Sequence, residues 1–268
     1  MSHRRPNLHK PHLGWQRDLP PPAEEFTSEV RSHSQPVINA LDGAFLEISR
    51  RSTKMRGLML FISGFGFFLL ADSVPRLHAW WTVGSGSPVT PIGAFLVDVI
   101  LIFFCVRIDT AIPRDEPIRF NRLRRKVYVY SFHYILWNPF ARWYVTTRAY
   151  NWDDLRAEVW RQRGATAQGG LIFTWGVSIA VVKPGTNQVI DRFPLSVGQD
   201  EGSSWDYVRA YMQHGPNALP PVDTFNDPDE VPPYNLALRL APKVRWPAEI
   251  DAESRSGQDD PAIAQNAN

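Results

Sequence analysis

Residues 57–75, GLMLFISGFGFFLLADSVP, and residues 89–106, VTPIGAFLVDVILIFFCV, decide the fold. Gly57 to Ala71 carries no charge, and the second stretch carries only Asp98. As helices of nineteen and eighteen residues, rising about 1.5 Å per residue, each roughly matches a bilayer core about 30 Å thick. Pro91 stands at the start of the second stretch, where a missing N–H is harmless. Trp80 and Trp81 fall between the two, where amphipathic rings favour the headgroup level. Two buried helices of a soluble domain would share this composition and form the competing expectation. A secretory leader would not, because the first apolar run begins more than fifty residues in, behind a polar region.

The flanking cations give the pair a direction. Arg50, Arg51, Lys54 and Arg56 precede the first segment, and Arg107, Arg114, Arg119, Arg122, Arg124, Arg125 and Lys126 follow the second. The connection holds only Arg76. Positive residues stay on the cytoplasmic side, so both termini are expected there. Asp98 would then lie within the bilayer, where an acid is costly. It is expected to face Ser63 or Gly64 of the partner helix or a subunit interface, or to be protonated. Two helices alone enclose no pathway, so an ion-conducting role for Asp98 ranks behind these. Gly57, Gly64 and Gly66 permit close helix contact without forming a regular small-residue motif.

Net charge is +2, but unevenly spread. From Arg114 to Arg163 there are eleven Lys or Arg and five Asp or Glu; from Asp223 to Asp260 there are nine acids and four bases. Cations directly after a membrane segment meet anionic headgroups more readily than nucleic acid. The single cysteine, Cys105, excludes an internal disulfide.

The rest of the chain divides by composition. Residues 1–35 are polar and proline-rich and are expected as a disordered cytosolic arm. Residues 36–54 are expected as a short strand or helix leading to the membrane, with Asp42-Gly43 a turn before a strand at Phe45–Ile48. Ile118–Asn121 and Lys126–Phe132 read as a hairpin, with Val127 and Val129 on one face and Tyr128, Tyr130 and Phe132 on the other. Tyr144–Thr147 is β-prone. After a break at Gly169-Gly170, Leu171–Trp175, Val177–Val182 and Val189–Phe193 continue a meander, with a turn at Pro184–Asn187. A helix over 204–214, capped by Ser203 or Ser204, places Trp205, Val208 and Met212 on one face and stops at Gly215-Pro216. Residues 221–268 are expected as an extended to disordered tail.

The predicted architecture is therefore an α+β membrane protein. A two-helix transmembrane hairpin (55–106) precedes a cytosolic β-rich domain (107–220), a small antiparallel sheet or barrel closed by one amphipathic helix. Arg119-Phe-Asn-Arg122, Arg125-Lys-Val-Tyr-Val129, Tyr150-Asn-Trp-Asp-Asp154 and Trp205-Asp-Tyr-Val-Arg-Ala-Tyr-Met212 give it a resemblance over residues 40–220. The arrangement is similar to pleckstrin-homology-like domains. The motifs resemble an uncharacterised family of proteobacterial two-helix membrane proteins, some encoded near type VI secretion loci. That resemblance implies architecture and, as an expectation, an accessory or immunity-type role. It carries no catalytic residue.

The chain lacks a Gly-x-Ser-x-Gly elbow, a His-Glu-x-x-His pair, a Walker loop and a dinucleotide glycine pattern. Gly84-Ser-Gly-Ser87 lies in the outer connection and reads as a flexible link. His133, Asp153 and a serine could be assembled as a triad only on paper, and Asp153-Asp154 read as a cap or as partners of Arg148 or Arg156. Trp137 and Trp143 bracket Asn138-Pro139-Phe140 and are candidates, with Phe140, for contact with the bilayer or a partner. Arg122, Arg124, Arg125 and Lys126 are candidates for the same role. The expectation is a non-enzymatic bacterial inner-membrane protein without cofactor, metal or nucleic acid. Its partners would be the bilayer and another protein, an effector or secretion component, with self-association left open. The alternatives are an anionic-lipid sensor and a small transporter or channel subunit using Asp98.

Overall fold

Alternating apolar and polar side chains give each strand one face to bury, and here two sheets bury those faces against each other. The computed structural model describes residues 5–27, 30, 35–50, 56–84, 87, 89–135, 138, 140–165 and 171–257. One antiparallel sheet has five strands in the order β2 (Ile38–Leu41), β3 (Phe45–Ile48), β4 (Ile118–Asn121), β5 (Lys126–His133), β6 (Tyr144–Asn151). The other has four, in the order β1 (Trp15–Asp18), β7 (Leu155–Ala165), β8 (Leu171–Val182), β9 (Val189–Pro194). Leu46, Ile48, Ile118, Phe120, Val127 and Val129 meet Leu155, Val177, Ile179 and Phe193 across the interior. Helix α3 (Ser203–His214) closes the core with Trp205, Val208, Tyr211 and Met212. Trp152 sits fully buried between Phe120, at 6.2 Å, and Trp205, at 5.0 Å between ring centroids.

Among the described residues the sheets do not close into a barrel. Where β6 passes β9, side chains bridge the gap: Arg148 and the Tyr150 hydroxyl both donate to Asp191. The cap of α3 also differs from expectation. Gly202 occupies the capping position, and the Asp200 carboxylate accepts from Gly202 N at 2.9 Å and Ser203 Oγ at 2.9 Å.

The apolar segments form α1 (Leu58–Val83) and α2 (Val89–Ala111), both long and apolar enough to cross a membrane. They interrupt a hairpin. β3 and β4 are adjacent strands in continuous register from Phe45↔Asn121 to Ile48↔Ile118, and both helices lie between them in the chain. The two feet therefore rise from neighbouring strands, and the chain on either side of the pair belongs to one domain. Only 17% and 11% of their most apolar windows are buried, which sets them apart from core helices of a soluble protein. Helix α1 runs eight residues past the expected end at Pro75, through Trp80 and Trp81. The buried residues of the pair are Ser63, Gly66 and Ser73 on α1 and Ile102, Cys105 and Asp109 on α2. A Cβ on Gly66 would stand 2.8 Å from Ile102, so glycine sets the approach. Asp98 accepts from Ser73 Oγ at 2.5 Å, rather than facing Ser63 or Gly64. Asp109 of α2 caps α1, accepting from Gly57 N at 3.1 Å and Leu60 N at 2.7 Å, two of the donors a helix start leaves open.

Both expected disordered ends contain structure. In the N-terminal arm β1 pairs with β7, and Leu8 and Phe26 are buried. In the tail, α4 (Leu236–Leu240) contacts α2, and α5 (Ala248–Arg255) lies along β4 and β5. Arg51, Lys54, Gly169-Gly170, most of the outer connection (Ser85, Gly86, Pro88) and residues 258–268 lie outside the described residues.

Candidate interface at the foot of the helices

Strand β5 joins two very different surfaces. At its His133 end the chain turns into the loop before β6, and aromatic side chains gather. Trp143 packs edge-on to Phe132 at 6.1 Å and against Tyr134 at 5.8 Å. The Arg107 guanidinium, near the end of α2, lies 4.4 Å from the Trp143 ring centroid and donates to Ala141 O at 2.8 Å. Phe103, one turn earlier, stacks on Phe140 at 5.4 Å. A cation over an aromatic face, with a hydrogen bond beside it, staples this loop to the helix. The cluster is still open: Phe140 is 69% exposed, and Tyr134 and Tyr144 are exposed as well. Trp143 Nε1 is buried with no hydrogen-bond partner among the described residues. Trp137 lies outside the described residues.

At the Lys126 end the basic residues are already occupied. Lys126 Nζ pairs with Glu253 at 2.6 Å, and Arg125 pairs with Asp153 at 2.5 Å. Arg124 donates to Gly257 O at 2.7 Å and Ser256 O at 3.2 Å, while the Arg122 guanidinium packs over Gly215. Arg119, almost wholly buried, binds Glu47, Asp251 at 2.5 Å and Ser254 Oγ at 2.9 Å, and lies 4.5 Å from the Trp246 ring centroid. These groups dock α5 on the outer face of the five-stranded sheet. Burial pushes the Asp251 and Glu253 carboxyls up. Hydrogen bonds from Arg119 and Arg255 to the first, and from Lys126 to the second, outweigh it and hold both below the usual carboxylate range. The acidic bias of residues 223–260 was the signal for this pairing, since it complements the basic stretch.

Further arginines fix the helix feet. Arg56 Nη2 donates to Ile112 O at 2.5 Å, joining the base of α1 to the base of α2. Arg50 donates to Glu116 O at 2.8 Å, Tyr130 O at 2.5 Å and Pro194 O at 3.2 Å, touching both sheets. Arg114 clamps the α4 segment through Leu238 O at 2.9 Å, Ala241 O at 3.2 Å and Asp229 at 3.1 Å. Beside these feet opens a cleft of about 860 Å³, bordered by Arg56, Arg114, Asp115, Asp200, Tyr234 and Asn235. Asp115 there binds Asn39 Nδ2 at 2.8 Å and Ser49 Oγ at 2.8 Å.

The paper triad does not assemble. His133 pairs across the ladder with Tyr144, while Asp153 follows Asn151, the partner of Lys126 at the opposite end. His133 instead contacts Thr146 Oγ1 at 2.7 Å. Asp153 pairs with Arg125 rather than through its carboxylate with Arg148 or Arg156, and Asp154 accepts from Asn151 at 3.2 Å. Among the described residues, no three His, Cys, Asp or Glu side chains come together to hold a metal.

No curated protein and no solved structure matches the chain. One family model matches residues 95–258, from within α2 to just past α5, which is well over half the chain. It takes in β4 through β9, α3, the docked α5 and the Phe103–Trp143 cluster, and leaves out β1 to β3 and α1. The chain thus belongs to the family of unknown function DUF6708.

Proposed function

We propose that this chain is a bacterial inner-membrane protein, with α1 and α2 crossing the bilayer and both termini in the cytoplasm, and that its β domain is a non-enzymatic module that binds another protein. The observation that carries the reading is the contrast within the helix pair. Its flanks leave Phe61, Phe65, Phe67 and Phe68 exposed, yet its feet are tied to each other through Arg56 and Asp109, to the loop before β6 through Arg107 and to the α4 segment through Arg114. An apolar flank of that size needs a cover, and lipid fits its length. The cation asymmetry supports the cytoplasmic side. Two sheets closed by α3 support the likeness to pleckstrin-homology-like domains. The narrower reading, an accessory or immunity-type factor tied to a type VI secretion effector, rests on the resemblance of the Arg119–Val129, Tyr150–Asp154 and Trp205–Met212 motifs.

Crosslinking in membranes of the native host, followed by capture of the full chain, tests the partner. Recovery of an effector or secretion component is expected. Recovery of neither, with unchanged survival against sister cells after deletion, would remove the secretion reading.

A further inference from the structure

The β7–β8 hairpin is longer than the sheet it belongs to. β1 covers β7 only over Glu158–Trp160, and β9 covers β8 only over Ser178–Val182, yet the two strands stay paired out to Ala165↔Leu171. The Arg161↔Trp175 pair is still flanked by backbone bonds, Arg161 N to Gly14 O at 2.8 Å and Gly198 N to Trp175 O at 3.1 Å, and residues 162–165 and 171–174 beyond it overhang the domain. Side chains alternate along a strand, so Arg161 and Arg163 continue the core-facing row of Val159, and Leu171, Phe173 and Trp175 continue that of Val177. Past the core this row is open: Leu171 is 71% exposed and Phe173 37%. Arg161 lies 4.8 Å from the Phe173 ring centroid and 5.6 Å from that of Trp175, and Arg163 lies 5.6 Å from Phe173. Neither arginine has a carboxylate partner among the described residues, unlike Arg119, Arg125, Arg148 and Arg192, which all do.

The overhang starts beside the loop that borders the cleft next to the helix feet. Gly198 N donates to Trp175 O at 3.1 Å, and the Leu195–Asp200 loop that holds Gly198 borders the cleft together with Arg56, the residue two before α1. From Trp175 to Leu171 the hairpin runs on about 13 Å, at roughly 3.3 Å per residue. An apolar, aromatic row edged by two unneutralised cations has the composition that settles at an anionic lipid surface.

We propose that the β7–β8 overhang is a second membrane contact, with Leu171, Phe173 and Trp175 at the acyl boundary and Arg161 and Arg163 on anionic headgroups. This rests on the reading of α1 and α2 as membrane spans. Such a contact, together with the spans, fixes the tilt of the domain over the bilayer, which two helices on their own leave free.

The test uses the full chain with Cys105→Ser and one environment-sensitive fluorophore, reconstituted in vesicles containing phosphatidylglycerol and brominated phosphatidylcholine. A probe at Leu171→Cys is expected to be quenched, and one at Asn187→Cys, in the β8–β9 turn, is not. Arg161→Glu with Arg163→Glu is expected to reduce Leu171 quenching to the Asn187 level. A Phe65→Cys probe on α1 separates the two claims. If Phe65 is quenched and Leu171 is not, the overhang proposal is wrong while the spans stand. If neither is quenched, the membrane reading itself fails. Excimer emission between Leu171 pyrene labels at high lipid-to-protein ratio would assign the face to a second copy and overturn the lipid contact.

Discussion

The two ends of β5 carry surfaces that look equally inviting in the sequence and differ in the fold. The Lys126 end is a run of cations, and the His133 end is a run of rings. In the structure the cations are spent on α5 and on Asp153, while the rings stay largely open around Arg107 and Trp143. Local charge density is thus a poor guide to free charge. What decides is whether acids elsewhere in the chain can reach, and Glu253 reaches Lys126 across 127 positions.

That contrast can be broken at its closed end. Trp152 ties the turn beside Arg125 to the core, since its backbone N–H donates to Arg125 O at 2.9 Å and its ring packs on Phe120 and Trp205. Trp152→Ala should cost about 3–5 kcal/mol through the cavity it leaves, read as a lower denaturation midpoint. Arg119→Ala comes next, at about 2–3 kcal/mol, because Glu47 stays largely shielded beside the gap while Asp251 reaches water. Proteolysis should then cut first within 241–257; equal protection of that segment in variant and parent would contradict the clamp.

Acid should act on the same end. Asp251 and Glu253 are held below their ordinary range in the folded state. Their contribution is therefore complete above about pH 4, the unfolded carboxylate range, and is lost as pH falls through the lower folded values. Hydrogen exchange over 248–255 should accelerate on acidification before the β-core does. The smallest effect belongs to the open end. Phe140→Ala should change folding stability by no more than about 0.5 kcal/mol, as for other exposed positions. A larger loss would mean the loop before β6 supports the fold rather than presenting a surface.

Much of the meander and α3 could be read from the chain because their signals are local: alternation along Lys126–Phe132, the Pro184–Asn187 turn, and Trp205, Val208 and Met212 at helical spacing. The ends could not. β1 is four residues with a half-buried edge, and among the described residues the arm around it buries Leu8 and Phe26 and rests Leu19 and Val30 on the core, too few apolar residues to outweigh its prolines. α5 has an acidic surface whose meaning depends on strands more than a hundred residues away. The Asp200 cap escaped because the carboxylate reaches over Gly202 from outside the first turn. At the open end, aromatic density marked Phe140 and Trp143, but Arg107 stood among the cations counted for orientation, and nothing local tells a cation that points at lipid from one laid over a ring.

The central claim is that α1 and α2 cross a bilayer and leave every strand on its cytoplasmic side. Cysteine accessibility tests it directly, using Cys105→Ser chains carrying Ser87→Cys in the connection or Asn187→Cys in the β8–β9 turn. In cells with a permeabilised outer membrane and an intact inner one, a membrane-impermeant maleimide should label Ser87→Cys at once and Asn187→Cys only after the inner membrane is opened. Immediate labelling of both positions, or of Asn187→Cys alone, would contradict it.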